Sequence, residues 1–280
     1  MNYPFEKWHG LGNDFAVVTD PAAHALWAER VEALCDRHRG IGADGVLLVD
    51  PDAPSMRVLN ADGSEPEMCG NGIRCVAAAL AERGGGDRAT LDVRTGAGVL
   101  RCVATRTDGD TWQVRVTSGT PSFVARDAGV DSDDTDLWLD APPVPGAPDG
   151  AQLRGIVGSV GNPHWIFFEH PGAASLSLLG PALEHDPRFR NRTNVEFVTG
   201  LGDDAWRVDV WERGVGITQA CGTGATTVAA ALVRTGRAAA DRPLRIELPG
   251  GPLTITIDPS GAATVEGPAQ RVFKGEVATR

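Results

Sequence analysis

The chain has 280 residues, with 26 Lys and Arg against 37 Asp and Glu, a formal net charge of −11. That length predicts two domains, each long enough to bury a core, and 35 Gly with 19 Pro are too few for a low-complexity or collagen-like chain. An acidic balance without a basic cluster excludes nucleic acid and anionic membrane as partners, while the opening MNYPFEKWHG, the lack of a long apolar run and the five cysteines predict a cytoplasmic protein with free thiols.

In chain order, Phe5 to Asp20 reads as strand around a glycine-rich turn, and Ala22 to His38 as a helix with Trp27, Val31, Leu34, Cys35 and His38 on one face. The G-x-G-x-x-G from Gly40 to Gly45 follows that helix rather than a strand, so it does not predict a dinucleotide site. Lys7 and Lys274 are the only lysines. Neither sits in a Walker loop, and a pyridoxal phosphate Schiff base would need a lysine near one terminus. The segment CGNGIRCVAAAL, Cys69 to Leu80, carries Ile73, Val76, Ala77 and Leu80 at helical spacing, with Gly84 as its expected C-cap. Alternating runs TLDVRT, GVLRCVAT and TWQVRV follow, the last two joined by a hairpin signal at Asp108 and Gly109. Gly119 to Pro121 is the expected crossing between domains, and the acidic, proline-rich stretch Asp127 to Gly150 reads as a surface excursion. CGTGATTVAAAL, Cys221 to Leu232, predicts a second helix ending near Gly236, followed by strands LRIEL, LTITI and AATVE.

The two helical segments are one sequence written twice. Eight of their twelve positions are identical at an offset of 221 − 69 = 152, and each is followed by a run of alternating strands. The pattern predicts an internal duplication, each half a helix with a mostly antiparallel sheet.

Cys69 and Cys221 each precede Gly-x-Gly at a predicted helix N-terminus. There the free amides and the positive end of the helix dipole favour a thiolate and bind carboxylates, and the glycines let a ligand approach the backbone. If the halves face one another across a cleft, one thiolate removes the proton beside a bound carboxylate and the opposite thiol protonates the other face, inverting the carbon without metal or cofactor. Cys35, Cys75 and Cys102 read as packing residues. The spacing from Cys69 to Cys75 is too long for a Cys-x-x-Cys oxidoreductase, and no paired Cys or His spacing suggests zinc.

The segments HGLGNDF, LNADGSEPEMCGNGIRC, GNPHWIFF, RTNVEFV and WERGVGITQACGTGATTVAAAL, in this order, resemble the diaminopimelate epimerases, and the likeness runs from about Lys7 to the terminal GPAQRVFKGEV. It implies an α/β fold of α+β type in two pseudo-symmetric domains, each a strand layer around a central helix. The first would be residues 1–120 with a C-terminal return over 267–280, and the second 121–266. It implies a cytoplasmic, homodimeric, cofactor-independent isomerase that interconverts LL- and meso-2,6-diaminoheptanedioate in lysine and peptidoglycan precursor synthesis.

By that resemblance Cys69 and Cys221 are the acid/base thiols, with Gly70, Asn71, Gly222 and Thr223 clamping the reacting carboxylate through their backbone. Asn60, Asn162, Asn194 and Arg213, with Asn13 nearby, hold the far end of the substrate. His164 and Glu212 touch substrate or tune the cysteines. Bidentate Arg and neutral Asn suit a zwitterionic amino-acid end. Without the resemblance, Asn13 and Asn60 read more readily as turn residues than as ligands, and His164 also fits a core histidine and Glu212 with Arg213 a surface pair. Glu212 nonetheless lies nine residues before Cys221, as Asn60 does before Cys69. Two positions depart from the family pattern: Ile217, where many members carry an acid, and Gly45, where some carry an amide. A proline or hydroxyproline racemase shares the two-thiol logic, although its first motif usually has His where Asn71 stands. A thiol redox sensor is the non-enzymatic alternative.

Overall fold

A computed structural model describes residues 2–144, 153–169 and 176–278. Met1–Thr117 with Glu266–Arg280 forms one compact unit and Ser118–Val265 a second.

In the first unit, β1 (Asn2–Gly10) turns into β2 (Asn13–Val18) through Leu11 and Gly12, at φ of 56° and 82°, the paired left-handed geometry of a tight hairpin. β2 runs parallel to β3 (Gly45–Asp50), and a parallel pair needs a crossover. α1 (His24–Glu29) and α2 (Val31–Cys35) supply it. β3 is antiparallel to β4 (Ser55–Asn60), which meets β5 (Arg88–Thr95) in parallel, with α3 (Gly70–Arg83) between them. β5, β6 (Gly98–Asp108) and β7 (Thr111–Thr117) form an antiparallel meander. β16 (Ala263–Ala278) then pairs with both β7 and β1, so the strands of this unit close on themselves.

α3 runs through the middle. Every residue from Asn71 to Ala81 is buried, and Trp8, Phe15, Leu47, Val58, Trp112 and Ala269 pack on it from six of the surrounding strands. The alanine run explains the closeness: short side chains let β-strands wrap a helix on all sides without voids. α3 ends where Gly84 caps it, and the left-handed glycine is Gly85, at φ 76°.

The predicted helix over 22–38 is broken. A 3-10 turn at Pro21–Ala23 precedes α1, the chain kinks at Arg30, and α2 stops at Cys35. Trp27, Val31, Leu34 and Cys35 are buried as one face, but His38 is exposed. The cause is Asp36, whose Oδ1 accepts from the His38 and Arg39 amides at 2.7 and 2.9 Å and bends the chain into a turn. The G-x-G-x-x-G opens β3 rather than following a strand.

The second unit repeats the plan. β8 (Trp138–Asp140) edges β9 (Arg154–Ser159), β9 is antiparallel to β10 (Pro163–Phe167), and β10 is parallel to β11 (Asn194–Gly202), with α4 (Leu176–Glu184) in the connection. β11 is antiparallel to β12 (Ala205–Glu212), which runs parallel to β14 (Leu244–Leu248). Between those two come β13 (Gly216–Ile217), which pairs with β12, and α5 (Gly222–Arg234). β15 (Gly251–Ile257) follows, antiparallel to β14. Both units thus alternate antiparallel pairs with parallel pairs bridged by helix, and α3 and α5 occupy the same place in the order. α5 ends one residue earlier than its twin, at a Thr235 cap, and Gly236 takes the left-handed position at φ 71°.

The stretch read as a surface excursion is packed over much of its described part. Ala128 and Val130 are buried, Leu137, Leu139, Ala141 and Val144 pack against the core that contains Trp165 and Phe167, and β8 adds a strand. The acidic residues between them hid an apolar alternation. Residues 145–150 of that stretch lie outside the described residues.

Candidate active site

Both cysteines are N-caps. Cys69 holds an extended backbone before α3 and its Sγ accepts from the Gly72 amide at 3.4 Å. Cys221 does the same before α5, accepting from the Gly224 amide at 3.4 Å. The second glycine of each motif is closely approached. A Cβ at Gly72 would lie 3.0 Å from Leu47 and 3.3 Å from the Cys69 Cβ, and one at Gly224 would lie 2.8 Å from Glu196 Oε1 and 3.3 Å from the Cys221 sulfur.

Around Cys69 the partners are amides. Its sulfur lies 3.9 Å from Asn13 Oδ1, which accepts from Asn71 Nδ2 at 3.1 Å. Asn13 Nδ2 donates to Asp44 at 2.7 Å. Asn71 in turn accepts from Arg74 Nη2 at 2.7 Å. Asn13, Asn71 and Cys69 therefore form one cluster, with Gly70 in the same helical turn. Asn60, at the end of β4, bonds Ser64 Oγ at 2.9 Å within its turn. Beneath the cluster, burial alone would raise the Asp14 carboxyl, but hydrogen bonds from Arg37 and Lys7 bring it down to about 2.

Around Cys221 the partners are acids. The thiol is buried, 3.5 Å from Thr223 Oγ1, and hydrogen-bonds Glu212. Glu212 also accepts from the Thr218 hydroxyl. Burial, then Glu212 and Glu196, push the Cys221 thiol well above its ordinary range. Burial and the two carboxylates thus oppose here the thiolate that a helix N-terminus favours. Burial likewise raises the Glu212 carboxyl, and Glu196 adds to it. Asn162 reaches Thr223 Oγ1 at 3.3 Å and His164 Nε2 at 3.1 Å, while His164 Nδ1 meets Glu196 Oε1 at 2.6 Å. His164, Asn162, Glu212, Thr223 and Cys221 are thus brought together with Glu196.

Asn194 and Arg213 are joined through the backbone. Asn194, buried, accepts from the Arg213 amide at 2.9 Å and donates to the Pro163 carbonyl at 2.9 Å, so its side chain sets the Arg213 turn. The guanidinium of Arg213 donates to the Asn191 carbonyl at 3.1 Å. Ile217 is exposed on β13, and a Cβ at Gly45 would lie 2.5 Å from the Leu59 carbonyl, so neither position offers a polar side chain here.

Cys35, Cys75 and Cys102 are buried, and burial pushes their thiols up to about 11, 12 and 12. No group of His, Cys, Asp and Glu among the described residues has the form of a metal site.

Sequence reasoning missed two residues. Arg74 is fully buried on α3, and Glu196 is fully buried on β11 with its Oε2 unpartnered among the described residues. The signals were present. Arg74 interrupts a helix with no polar face, and Glu196 falls on the strand face of Asn194, within two residues of a predicted contact.

The diaminopimelate epimerase profile matches residues 5–124 and 156–272. The chain belongs to the diaminopimelate epimerase family. It is 42% identical to diaminopimelate epimerase 1 of Nostoc sp. (strain PCC 7120) over 287 residues, covering 99% of this chain and 100% of that protein. Among solved structures, one from Pseudomonas aeruginosa, itself named a predicted epimerase, aligns with a TM-score of 0.71 at 19% identity over 99% of this chain and 100% of its own. A hydroxyproline epimerase from Agrobacterium vitis, solved with trans-4-hydroxy-L-proline, aligns at 0.67 and 18% identity over 99% and 91%. At such identities the likeness is one of fold. The family match spans both cysteine motifs and every asparagine of the site.

Proposed function

We propose that the protein is an isomerase that epimerises diaminopimelate, converting LL-2,6-diaminoheptanedioate to the meso form, with Cys69 and Cys221 as its acid and base. The observation that carries the reading is the duplicated cysteine-capped helix, set in a chain whose family match covers both copies. Inversion at a carbon needs a base on one face and an acid on the other, and a duplicated thiol supplies both from one kind of residue. A thiolate takes the α-proton and becomes a thiol. The carbon passes through a carbanion whose charge spreads into its carboxylate, a group that helix N-terminal amides such as those after Cys69 and Cys221 suit. The second thiol gives its proton to the opposite face and becomes the thiolate. Amides fixed before the reaction stabilise that charge without reorganising.

The far end of the substrate is a second amino-acid group. Arg213, set by Asn194, suits its carboxylate, and the amide oxygens of Asn60 and Asn162 suit its ammonium. A site built of such groups rejects a substrate lacking them, because its polar atoms are left unpaired. The same resemblance supports a homodimer working in the cytoplasm; no helix among the described residues is long and apolar enough to cross a membrane.

The test is incubation of reduced protein with LL-diaminopimelate in deuterated water. Epimerisation should place solvent deuterium at one α-carbon, and Cys69→Ala or Cys221→Ala should each abolish turnover whereas Cys35→Ala and Cys102→Ala keep it. Absence of exchange under reducing conditions sinks the reading. Exchange on proline alone moves it to the proline racemases.

A further inference from the structure

We propose that the fully buried guanidinium of Arg74 is the electrostatic and positioning partner of Cys69 and makes it the resting thiolate, while Thr226 at the matching place in the second motif leaves Cys221 the thiol. This rests on the two cysteines being the acid and base.

Arg74 lies at 0% exposure on α3, one turn inside the Cys69 cap. Its side chain runs back toward that cap. Nη1 donates to the Gly70 carbonyl at 2.9 Å, Nη2 to Asn71 Oδ1 at 2.7 Å, and Nε to the Pro268 carbonyl at 3.3 Å. All three acceptors are neutral, and no carboxylate pairs with Arg74 among the described residues. A guanidinium stays charged in proteins, so the core here holds a positive charge with no partner acid, a costly arrangement unless an anion forms nearby.

The neighbouring charges cancel among themselves. Lys7 on β1 and Arg37 after α2 are paired with Asp14 on β2 and Asp44 before β3, two cations to two carboxylates. On α3 itself Cys75 is held as a thiol by burial. Met56 and Val58 of β4, Val93 of β5, Trp112, Val114 and Val116 of β7 and Ala269 of β16 pack in this core without an ionisable group, and β6 adds the buried thiol Cys102. Glu82, Arg271 and Lys274 meet at the other end of α3, about 18 Å from Gly70 at 1.5 Å per residue. Cys69 is the remaining group near Arg74 able to become an anion. Its sulfur takes the Gly72 amide at 3.4 Å and lies 3.9 Å from Asn13 Oδ1.

The duplication provides an internal control. Residue 74 corresponds to 226 at the repeat offset, and Thr226 Oγ1 donates to the Gly222 carbonyl at 2.7 Å, the counterpart of Gly70. A neutral hydroxyl therefore closes the first turn in the second copy. The charge in the first copy is not needed for that bond. What differs is the thiol beside it: Cys221 faces Glu212, Glu196 and His164, with no arginine on its own first turn.

The experiment reads thiolate formation without substrate, by iodoacetamide labelling of the full chain from about pH 5 to about pH 10 with peptide mass mapping. The midpoint of each profile, unlike its rate, does not depend on how exposed the sulfur is. In the unsubstituted chain Cys69 should reach its midpoint about two units below Cys221, about a hundredfold difference in thiolate ratio. Arg74→Thr should raise the Cys69 midpoint by about one unit or more, and Arg74→Lys, which keeps the charge, should shift it by less than about half a unit, each checked for native circular dichroism. An unmoved midpoint in folded Arg74→Thr overturns the proposal. Equal or reversed midpoints for the two cysteines in the unsubstituted chain overturn it whether or not the variants fold. Because no turnover is measured, loss of the epimerase reading in deuterated water would register separately.

Discussion

Cys221 is buried with Glu212 and Glu196 beside it, so its proton is held by desolvation first and by two carboxylates second. The second contribution is removable. Glu212→Gln and Glu196→Gln each replace a carboxylate by a neutral amide of the same shape, and each should move the Cys221 labelling midpoint down by about half a unit to one unit. The repulsion operates only while Glu212 is ionised. Its carboxyl is itself raised from the ordinary carboxylate value, so the native and Glu212→Gln profiles should converge as pH falls through that raised value and separate above it. An upward shift in either variant would show that hydrogen bonding, not charge, governs this thiol.

At the scale of elements, the turn bearing Arg213 is held from α4. Glu184, buried at the end of that helix, accepts from Trp211 Nε1 at 2.8 Å, the Gly214 amide at 2.8 Å and Arg192 at 3.0 Å. α4 reaches this position because Gly180 presents no side chain to Trp211: a Cβ there would sit 2.4 Å from the indole Cδ2. Gly→Ala in a helix ordinarily gains up to about 1 kcal/mol, but this clash costs about 1–3 kcal/mol and involves a rigid ring on one side and a helix backbone on the other. Gly180→Ala should lower Tm by about 4 °C. It should also raise KM for LL-diaminopimelate more than it lowers kcat, because Arg213 sits two residues past the displaced Trp211. A KM unchanged at lowered Tm would separate packing from the Arg213 turn. Such couplings explain what the letters did and did not reveal. α3 and α5 were legible because repeated letters and helical spacing agreed, and their glycines announced the thiols. Arg74 and Glu196 were not, because a polar residue inside an apolar pattern gives no sign of its partners. The stop of α2 at Cys35 and the packed stretch after Asp127 depended on an Asp36 turn and on apolar residues masked by acids.

For the whole molecule, the duplication is completed by a strand that leaves one unit for the other. From Glu266 onward β16 belongs to the first unit, where it pairs with β1 from Asn2↔Ala278 to His9↔Gln270 and also borders β7. Without it, β1 and β7 become open edges with unpaired amides and carbonyls, and the strands around α3 no longer close. The same strand supplies Ala269 to the core around α3 and the Pro268 carbonyl to Arg74. A buried guanidinium that loses an acceptor incurs a desolvation penalty of about 1–3 kcal/mol, in addition to the lost ladder. α5 packs on β9, β10, β11, β14 and β15, all of which precede Glu266. A chain ended at Glu266 should therefore lose hydrogen-exchange protection across α3 while the α5 amides keep theirs. Protection retained in α3 would show that the return strand is not what holds the first thiol in place, and equal loss in both helices would show that the two units unfold as one.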